Sequence, residues 1–464
     1  MFRGIRDFVS RKVLSLGFPL TCLGFALALP ANTFDPNLQD FPDPSGTVRT
    51  VSTTGSVDTS NPFFQSMGTN GRACISCHQP GDAWTVTPPH IQERFEKTQG
   101  LDPIFRPVDG SNCPSADVST EHARRHAYSM LLNKGLIRIS ISVPAIREFE
   151  VTAVHDAFNC PETTNQQLAM FRRPLPSTNL GFLSTVMWDG RENAPGKTIA
   201  LDLMQQSKDA TLGHAQAVTA PTDLQAAQIV AFELALFTAQ SSDLAAGRLN
   251  IDGAKGGPEA LSTQPFHLGI NDSFGGDPTG DPFNPNVFTI FEAWSDPHGP
   301  YEEAREAIAR GEKLFNTLVI PITGVAGIND ALNSDVFMGT CTTCHDTPNS
   351  GNHSLSVPLN IGITDFPALA PLDTAGLPHY TLVCKATGKE FHVTDPGRAL
   401  ISGKCADIGK TKGPILRGLA ARAPYFHNGS AATLLDVVNF YDVRFHLGLS
   451  ERQKFDLVAF LRAL

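Results

Sequence analysis

The sequence predicts a mainly α-helical protein built of two units in tandem, with loop-rich insertions. Two observations support this prediction. The pattern Cys-x-x-Cys-His occurs twice, at residues 74–78 and 341–345, and a similar apolar segment follows each occurrence, at 229–236 and 457–464. Both segments have the apolar spacing of an amphipathic helix, and a divergent tandem duplication explains their likeness.

The first 31 residues have the character of an export signal. Basic residues precede an apolar run over residues 13–29, and the small residues Ala28 and Ala31 offer a cleavage site. The run is shorter than the roughly 20 residues that a membrane span needs. We therefore expect a signal peptide at 1–31 that is cleaved on export, and no stable membrane span.

The charge and the remaining length limit the class of protein. A formal net charge of −10 without a basic cluster argues against nucleic-acid binding. About 430 residues would remain after cleavage, which is enough for two or three domains with sizeable cores.

Four cysteines lie outside both the leader and the two motifs. Cys113, Cys160, Cys384 and Cys405 are an even number in an exported chain, which indicates two disulfides. Proximity in sequence favours Cys113 with Cys160 and Cys384 with Cys405. Four cysteines permit three pairings, and four buried free thiols are the alternative.

Each Cys-x-x-Cys-His motif has the spacing that attaches a c-type haem. Two thiols meet the two vinyl groups while the following imidazole reaches the iron. A redox dithiol does not need the histidine, and a zinc site would need a second ligand pair nearby that neither motif has. We predict two covalently bound haem c groups in two cytochrome c-like domains. The predicted attachment residues are Cys74, Cys77, His78, Cys341, Cys344 and His345, with His78 and His345 as iron ligands.

The rest of the chain divides in order. An N-terminal domain over 50–250 carries an insertion at 79–172 that is rich in Pro, Asp and Asn, with a short helix expected over 119–132. Residues 251–300 have the Gly and Pro content of a linker. A helix over 301–315 opens the C-terminal domain, 301–464. Ser450 and Gln453 form a capping-box pattern at the start of its last helix.

Several segments carry a family likeness. Residues 422–430 read Arg-Ala-Pro-Tyr-Phe-His-Asn-Gly-Ser, and with 433–434 and 437–442 they resemble the C-terminal signature of bacterial di-haem cytochrome c peroxidases. The MauG enzymes, which mature a tryptophan-derived quinone cofactor, share this signature. Residues 188–191 (Trp-Asp-Gly-Arg), Arg173-Pro174 and 395–398 (Asp-Pro-Gly-Arg) are similar to other segments of that superfamily. The likeness thins out over 79–172.

The resemblance implies a division of labour between two haems in a periplasmic enzyme. The N-terminal haem would bind hydrogen peroxide, and the C-terminal haem would take electrons from a small donor protein, a cytochrome c or a cupredoxin. Trp188 would relay electrons between them, with Arg191 in the same catalytic loop. The alternative for Trp188 is a buried aromatic that only packs. A calcium ion between the haems and a homodimer are further features that the resemblance implies.

Other positions depart from the family pattern. The stretch 164–170, where the resemblance implies a distal histidine, contains none, so the upstream histidines are the candidates: His155, His126, His122 and His90. We take His155 as the candidate acid–base residue. Gln205, Gln206 and His214 follow the Trp188 loop, but at a spacing unlike that of the family.

The second haem departs from the pattern as well. Phe426 stands where the resemblance implies a methionine ligand, and a phenyl ring cannot bind iron. Tyr425 and His427 are the candidate ligands in its place, with Met338 or a five-coordinate iron as the alternatives.

Three functions stay open from the sequence. The first is a peroxidase that reduces hydrogen peroxide. The second is a MauG-like di-haem oxidase that acts on a protein or an organic substrate, which the absent methionine favours. The third is a di-haem electron-transfer cytochrome without catalysis, which the absent distal residues favour.

Overall fold

A computed structural model describes residues 39–464, and the predicted signal peptide lies outside this range. The prediction of a mainly α fold is wrong, because 30% of the structure is helix and 17% is strand. Three of the eleven strands lie in the insertion at 79–172, for which the sequence predicts loops and short helices. None of the described helices is long and apolar enough to cross a membrane.

Ten α-helices lie within the described range. They are α1 (Pro88–Thr98), α2 (Glu121–Ala127), α3 (Ser129–Lys134), α4 (Ile199–Gly213), α5 (Asp223–Leu234), α6 (Pro258–Ser262), α7 (Glu302–Thr317), α8 (Ala399–Ser402), α9 (Leu434–Phe445) and α10 (Glu451–Ala463).

Eleven strands form four small antiparallel sheets in the same range. The strands are β1 (Asp40–Asp43), β2 (Gly46–Ser52), β3 (Ile137–Ser142), β4 (Phe149–His155), β5 (Gln167–Arg172), β6 (Leu236–Asp243), β7 (Gly247–Arg248), β8 (Ile320–Thr323), β9 (Val336–Gly339), β10 (His379–Cys384) and β11 (Glu390–Val393). Their orders are β1-β2-β6-β7, β11-β10-β4, β3-β5 and β8-β9.

Helices α7 and α10 form the core of the C-terminal half. The predicted helix over 301–315 is confirmed as α7, and the predicted capping box of Ser450 and Gln453 is confirmed at the start of α10. The two helices approach so closely that a Cβ at Gly311 would collide with the carbonyl oxygen of Asp456. Phe460 packs in the cluster between them.

The two repeated apolar segments end differently. The second lies wholly in the region of α10, whereas the first leaves helix α5 after Leu234 and enters strand β6 at Leu236. The carbonyl oxygen of Leu464 accepts hydrogen bonds from the backbone amides of Gln240 and Gly418. The end of α10 is thereby tied to β6 in the first half.

The insertion at 79–172 is more regular than predicted. It contains three helices and three strands, and the helix expected over 119–132 is divided into α2 and α3, with Thr120 as the N-cap. Strand β4 pairs with β10, so the insertion adds a strand to a sheet of the C-terminal half. The domain limits 50–250 and 301–464 stay a prediction.

The segment 251–300, predicted as a linker, packs into the C-terminal core. It contains α6 and a short turn at Glu292–Ser295, and the rings of Phe288, Phe291 and Trp294 belong to the cluster around α7 and α10. The Glu312 carboxylate on α7 accepts hydrogen bonds from the amides of Ile290 and Phe291.

Both predicted disulfides are confirmed. Cys113 pairs with Cys160, and Cys384 pairs with Cys405. The first bond lies within the insertion, and the second joins the end of β10 to the chain after α8. Disulfides are typical of oxidising compartments.

Candidate di-haem centre

The first Cys-x-x-Cys-His motif forms a tight turn that aims its histidine inward. Cys74–Ser76 is a short 3-10 helix, and the Ser76 hydroxyl accepts a hydrogen bond from the Ala73 amide. The Nδ1 atom of His78 lies 3.0 Å from the Trp84 carbonyl oxygen and 3.0 Å from the Ser177 hydroxyl. The carbonyl requires a hydrogen on Nδ1, so Nε2 is left as the ligand atom.

The second motif has the same local shape. Cys341–Thr343 is a 3-10 helix in which the Thr343 hydroxyl accepts a hydrogen bond from the Thr340 amide. Burial lowers the pKa of both His345 and His78 to about 4, so each imidazole is neutral at pH 7. A neutral imidazole is the form that ligates a metal.

The motif thiols fit covalent attachment to haem. The other four described cysteines form disulfides, but these four stay free. Burial raises the pKa of Cys74, Cys341 and Cys344 to about 12, and that of Cys77 is also raised, so the thiols stay protonated. Two unpaired thiols and a neutral imidazole on one cavity wall are the donor set of a c-type haem, so the residues fit this group.

Each motif lines its own cavity. The first cavity, of about 170 Å³, contains Cys74, Cys77 and His78 in its wall, and the second, of about 190 Å³, contains Cys341, Cys344 and His345. Two side chains, Trp188 and Lys412, line both cavities. They therefore mark the boundary between the two candidate haem sites.

Trp188 is held in place at this boundary. Its indole Nε1 donates a hydrogen bond to the Arg173 carbonyl oxygen at 2.8 Å, and its own carbonyl accepts from the Lys412 amide at 2.8 Å. The indole ring meets the imidazole of His427 edge-on, with ring centres 6.0 Å apart. The side chain thus contacts the walls of both cavities.

A buried ion network fixes the loop that carries Trp188. Arg172 binds Asp189 at 2.5 Å and Asp395 at 2.7 Å, and all three side chains are buried. Arg191, in the same loop, binds Asp189 at 2.9 Å from a more exposed side and lines the first cavity. The Arg398 guanidinium donates to the Asp189 carbonyl oxygen at 3.2 Å. The 188–191 and 395–398 segments quoted for the resemblance therefore meet here.

Ionisable side chains form one wall of the first cavity. The Asp109 carboxylate is paired with the Arg72 guanidinium and with the Nδ1 atom of His214, which follows α4. Asp109 and Arg72 are buried, whereas 35% of the His214 side chain is exposed. Glu233 also lines this cavity, and burial raises its pKa to about 7. This wall can hold and move protons.

The structure does not bring His155 to either cavity. His155 is exposed at the end of β4, where its ring stacks on that of His379 with centres 4.5 Å apart. His90 lies at the side of Asp82 instead. Besides the motif residue His78, the first cavity is lined by His214, which the sequence pattern did not select because its spacing differs from that of the family.

Tyr425 and His427 both line the second cavity, together with Phe426. The Tyr425 hydroxyl donates to the Leu419 carbonyl oxygen at 3.1 Å, and burial raises its pKa, so the phenol stays protonated. Within the described residues Nδ1 of His427 has no hydrogen-bond partner, and Nε2 lies 3.5 Å from the Asp395 carboxylate. Met338 is 59% exposed and does not line the cavity.

Comparison with curated proteins finds cytochrome-c peroxidases. The chain is 36% identical over 141 residues to cytochrome-c peroxidase IdrP2 of Denitromonas iodatirespirans, 32% over 139 residues to IdrP1 of the same organism, and 30% over 138 residues to IdrP1 of Pseudomonas sp. (strain SCT). Each match covers 27% of this chain and 36% of the relative. The chain thus spans about a third of the length of these relatives.

Two other comparisons complete the description. A solved structure of a MauG-like protein associated with microbial copper homeostasis covers 87% of this chain and 86% of its own, at 17% identity and a TM-score of 0.37. No protein-family profile matches the chain.

The curated relatives and the paired motifs agree on one assignment. Both motifs present the attachment residues of a c-type haem at cavity walls, and the relatives carry the name cytochrome-c peroxidase. The chain is therefore similar to bacterial cytochrome-c peroxidases over 27% of its length.

Proposed function

We propose that the protein is a periplasmic di-haem peroxidase that reduces hydrogen peroxide with electrons from a small donor protein, a cytochrome c or a cupredoxin. The observation that supports this proposal is the difference between the two cavities. Ionisable side chains line the first cavity, among them those of five residues: Arg72, Asp109, Arg191, His214 and Glu233. The second is lined mostly by aliphatic and aromatic side chains.

The reaction consumes two protons and two electrons for each peroxide, H₂O₂ + 2H⁺ + 2e⁻ → 2H₂O. The donor protein is oxidised twice, the O–O bond breaks, and both oxygens leave as water. The haem iron supplies electron exchange with the peroxide. The polypeptide must supply a group that moves a proton between the two oxygens, and the first cavity has a histidine paired with a carboxylate, His214 with Asp109, in its wall for this role.

We assign the acid–base role to His214 in place of His155. Asp109 holds Nδ1 of His214, so Nε2 is the nitrogen left to exchange a proton. The second oxygen of Asp109 pairs with Arg72, which fixes the carboxylate and therefore the imidazole. Partial exposure of His214 leaves a path for peroxide from solvent.

The second cavity suits electron entry. Its hydrocarbon wall excludes water, and no carboxylate of the described residues lines it, so charge transfer there needs little proton movement. Among the candidate ligands, the protonated and hydrogen-bonded Tyr425 is less available than His427, whose Nδ1 is unpaired. Trp188 joins this cavity to the first and is the proposed relay.

One observation favours a MauG-like oxidase as the second candidate. No methionine lines the second cavity, so a thioether ligand there has no source within the described wall. Such an enzyme would draw oxidising equivalents from peroxide and pass them to a protein or an organic substrate. A non-catalytic electron carrier is the third candidate, and the charged wall of the first cavity argues against it.

The experiment is low-temperature electron paramagnetic resonance of the protein before and after the addition of one electron per molecule, followed by peroxide. We expect a high-spin ferric signal that peroxide removes, with two donor molecules oxidised for each peroxide. Two low-spin signals that neither peroxide nor cyanide changes would contradict the proposal. Peroxide consumption without donor oxidation, but with oxidation of a protein substrate, would establish the MauG-like alternative.

A further inference from the structure

Among the described residues, four buried cationic side chains have only backbone carbonyl oxygens as hydrogen-bond partners. Lys412, Arg173, Arg417 and Arg422 are each less than 9% exposed. Among residues 39–464 no carboxylate lies within ion-pair distance of any of them. The Lys412 ammonium donates only to the Gly413 carbonyl oxygen, at 3.2 Å.

Arg172 and Arg173 are adjacent in sequence but differ in their partners. Arg172 has two carboxylate partners, Asp189 and Asp395, and they hold its pKa above the ordinary value. Arg173 donates instead to the carbonyl oxygens of Lys134, Gly135 and Arg422. Burial lowers the pKa of Arg173 to about 10 and that of Lys412 to about 8.

A buried cation without an anion is costly. The effective penalty is several kcal/mol for each ion, and carbonyl dipoles recover only part of it. Two of these four cations lie at the cavities. Lys412 lines both cavities, and Arg173 lines the first. The missing anion must therefore reach the boundary between the two candidate haem sites.

A haem brings its own anions, since each macrocycle carries two propionate carboxylates. We propose that Lys412 binds a propionate at the boundary of the two cavities, that Arg173 binds one in the first cavity, and that Lys412 thereby sets the reduction potentials of both haems. The inference rests on the proposed attachment of two haems, but not on reaction with peroxide. Lys412 is a positioning and charge-compensating residue, not a catalytic one.

The physical consequence has a definite sign. A positive charge beside a propionate favours the form of the haem with one more electron, because a charge in a low-dielectric site interacts strongly with the iron. Removal of the ammonium therefore stabilises the ferric form and lowers the midpoint potential. Because Lys412 contacts both cavities, both potentials should fall.

The test is spectroelectrochemical titration of the haem-loaded protein and of the variant Lys412→Met. The matched control is Lys410→Met, two residues away, where the ammonium has carboxylate partners of its own, Asp330 at 3.4 Å and Asp407 at 3.5 Å. We expect a downward shift of both midpoint potentials in Lys412→Met and unchanged potentials in Lys410→Met. Unchanged potentials in Lys412→Met, or a shift of one haem alone, would overturn the assignment.

Two further readouts keep the test decisive. If Lys412→Met does not fold, Lys412→Arg keeps the charge, and the propionate bending bands in its resonance Raman spectrum should move with the altered hydrogen bond. Bands identical to those of the unmodified protein would overturn the proposal. A change of spin state on substitution would make Lys412 an iron ligand and would also overturn it. Failure to attach two haems would instead contradict the proposed function itself.

Discussion

The two cavities begin from the same five-residue motif and differ in the wall that faces it. Around His78 the chain places the Arg72–Asp109–His214 ion cluster and the buried Glu233, whereas around His345 it places mainly hydrocarbon. The attachment chemistry is therefore common, and the chemistry at each iron is decided by segments distant in sequence. Among the described residues, carboxylates line the first cavity but not the second, and this difference is the basis of the proposed division between a peroxide site and an electron-entry site.

The largest expected effect is on kcat/KM for peroxide, and it comes from a substitution in the ionisable wall of the first cavity. Removing the imidazole in His214→Ala should lower kcat/KM for peroxide by about 10²–10⁴-fold, the usual contribution of a positioned acid–base group. Steady-state oxidation of a donor cytochrome measures it. The matched control is His155→Ala, which removes an exposed ring outside both cavities and should leave the rate unchanged. A loss of rate in His155→Ala without one in His214→Ala would reverse our assignment.

We expect the buried ion network of Arg172, Asp189 and Asp395 to contribute more to the free energy of unfolding than any exposed ion pair does. Arg172→Met leaves Asp189 and Asp395 buried without their cation, which should cost about 3–5 kcal/mol in the free energy of unfolding. Chemical denaturation followed by haem absorbance measures the change. Arg191→Met removes a partly exposed partner of the same Asp189 and should cost about 1 kcal/mol or less. Equal losses would show that burial of the network has no energetic role.

Glu233 gives the first cavity a pH dependence of its own. The pKa of Glu233 is raised from 4.5 to about 7, so the folded state binds the proton more tightly than the unfolded state. The contribution of Glu233 to the free energy of unfolding is fully present below pH 4.5 and is lost as the pH rises through 7. The loss is at most about 3 kcal/mol. Glu233→Gln stays neutral, so its stability relative to the unmodified protein should rise between pH 5 and pH 8. Parallel unfolding profiles over this range would contradict the prediction.

The smallest expected effect concerns Trp188, which lines both cavities. Trp188→Phe keeps an aromatic ring but loses the hydrogen bond to the Arg173 carbonyl, which should cost about 1 kcal/mol of stability. Stopped-flow absorbance should show slower electron transfer between the haems, with cyanide binding at the first haem unchanged. Transfer at the unmodified rate would show that Trp188 only packs.

Local patterns predicted the parts of the molecule that depend on local chemistry. The two attachment motifs, both disulfides, helix α7 and the Ser450 cap are all set by residues close in sequence. The predicted fold class is wrong because the insertion at 79–172 and other segments form strands. Residues 137–142 read Ile-Arg-Ile-Ser-Ile-Ser, an alternation typical of a strand, but they lie in a segment interpreted as loop.

The parts of the molecule that the sequence did not predict depend on contacts between residues distant in sequence, which no local pattern shows. Strand β4 pairs with β10 across about half of the chain, and Asp109 meets His214 across 105 residues. The sequence therefore offered His155 as the acid–base candidate, upstream of the stretch 164–170 where the family resemblance implies a distal histidine. The buried Lys412 was equally invisible, because its missing carboxylate is a property of the packed interior.

The most direct test of the division between the cavities is the crystal structure of the haem-loaded protein with cyanide bound. We expect cyanide at the iron held by His78, on the side of His214, and none at the iron held by His345. Cyanide at the second iron, or at neither, would contradict it.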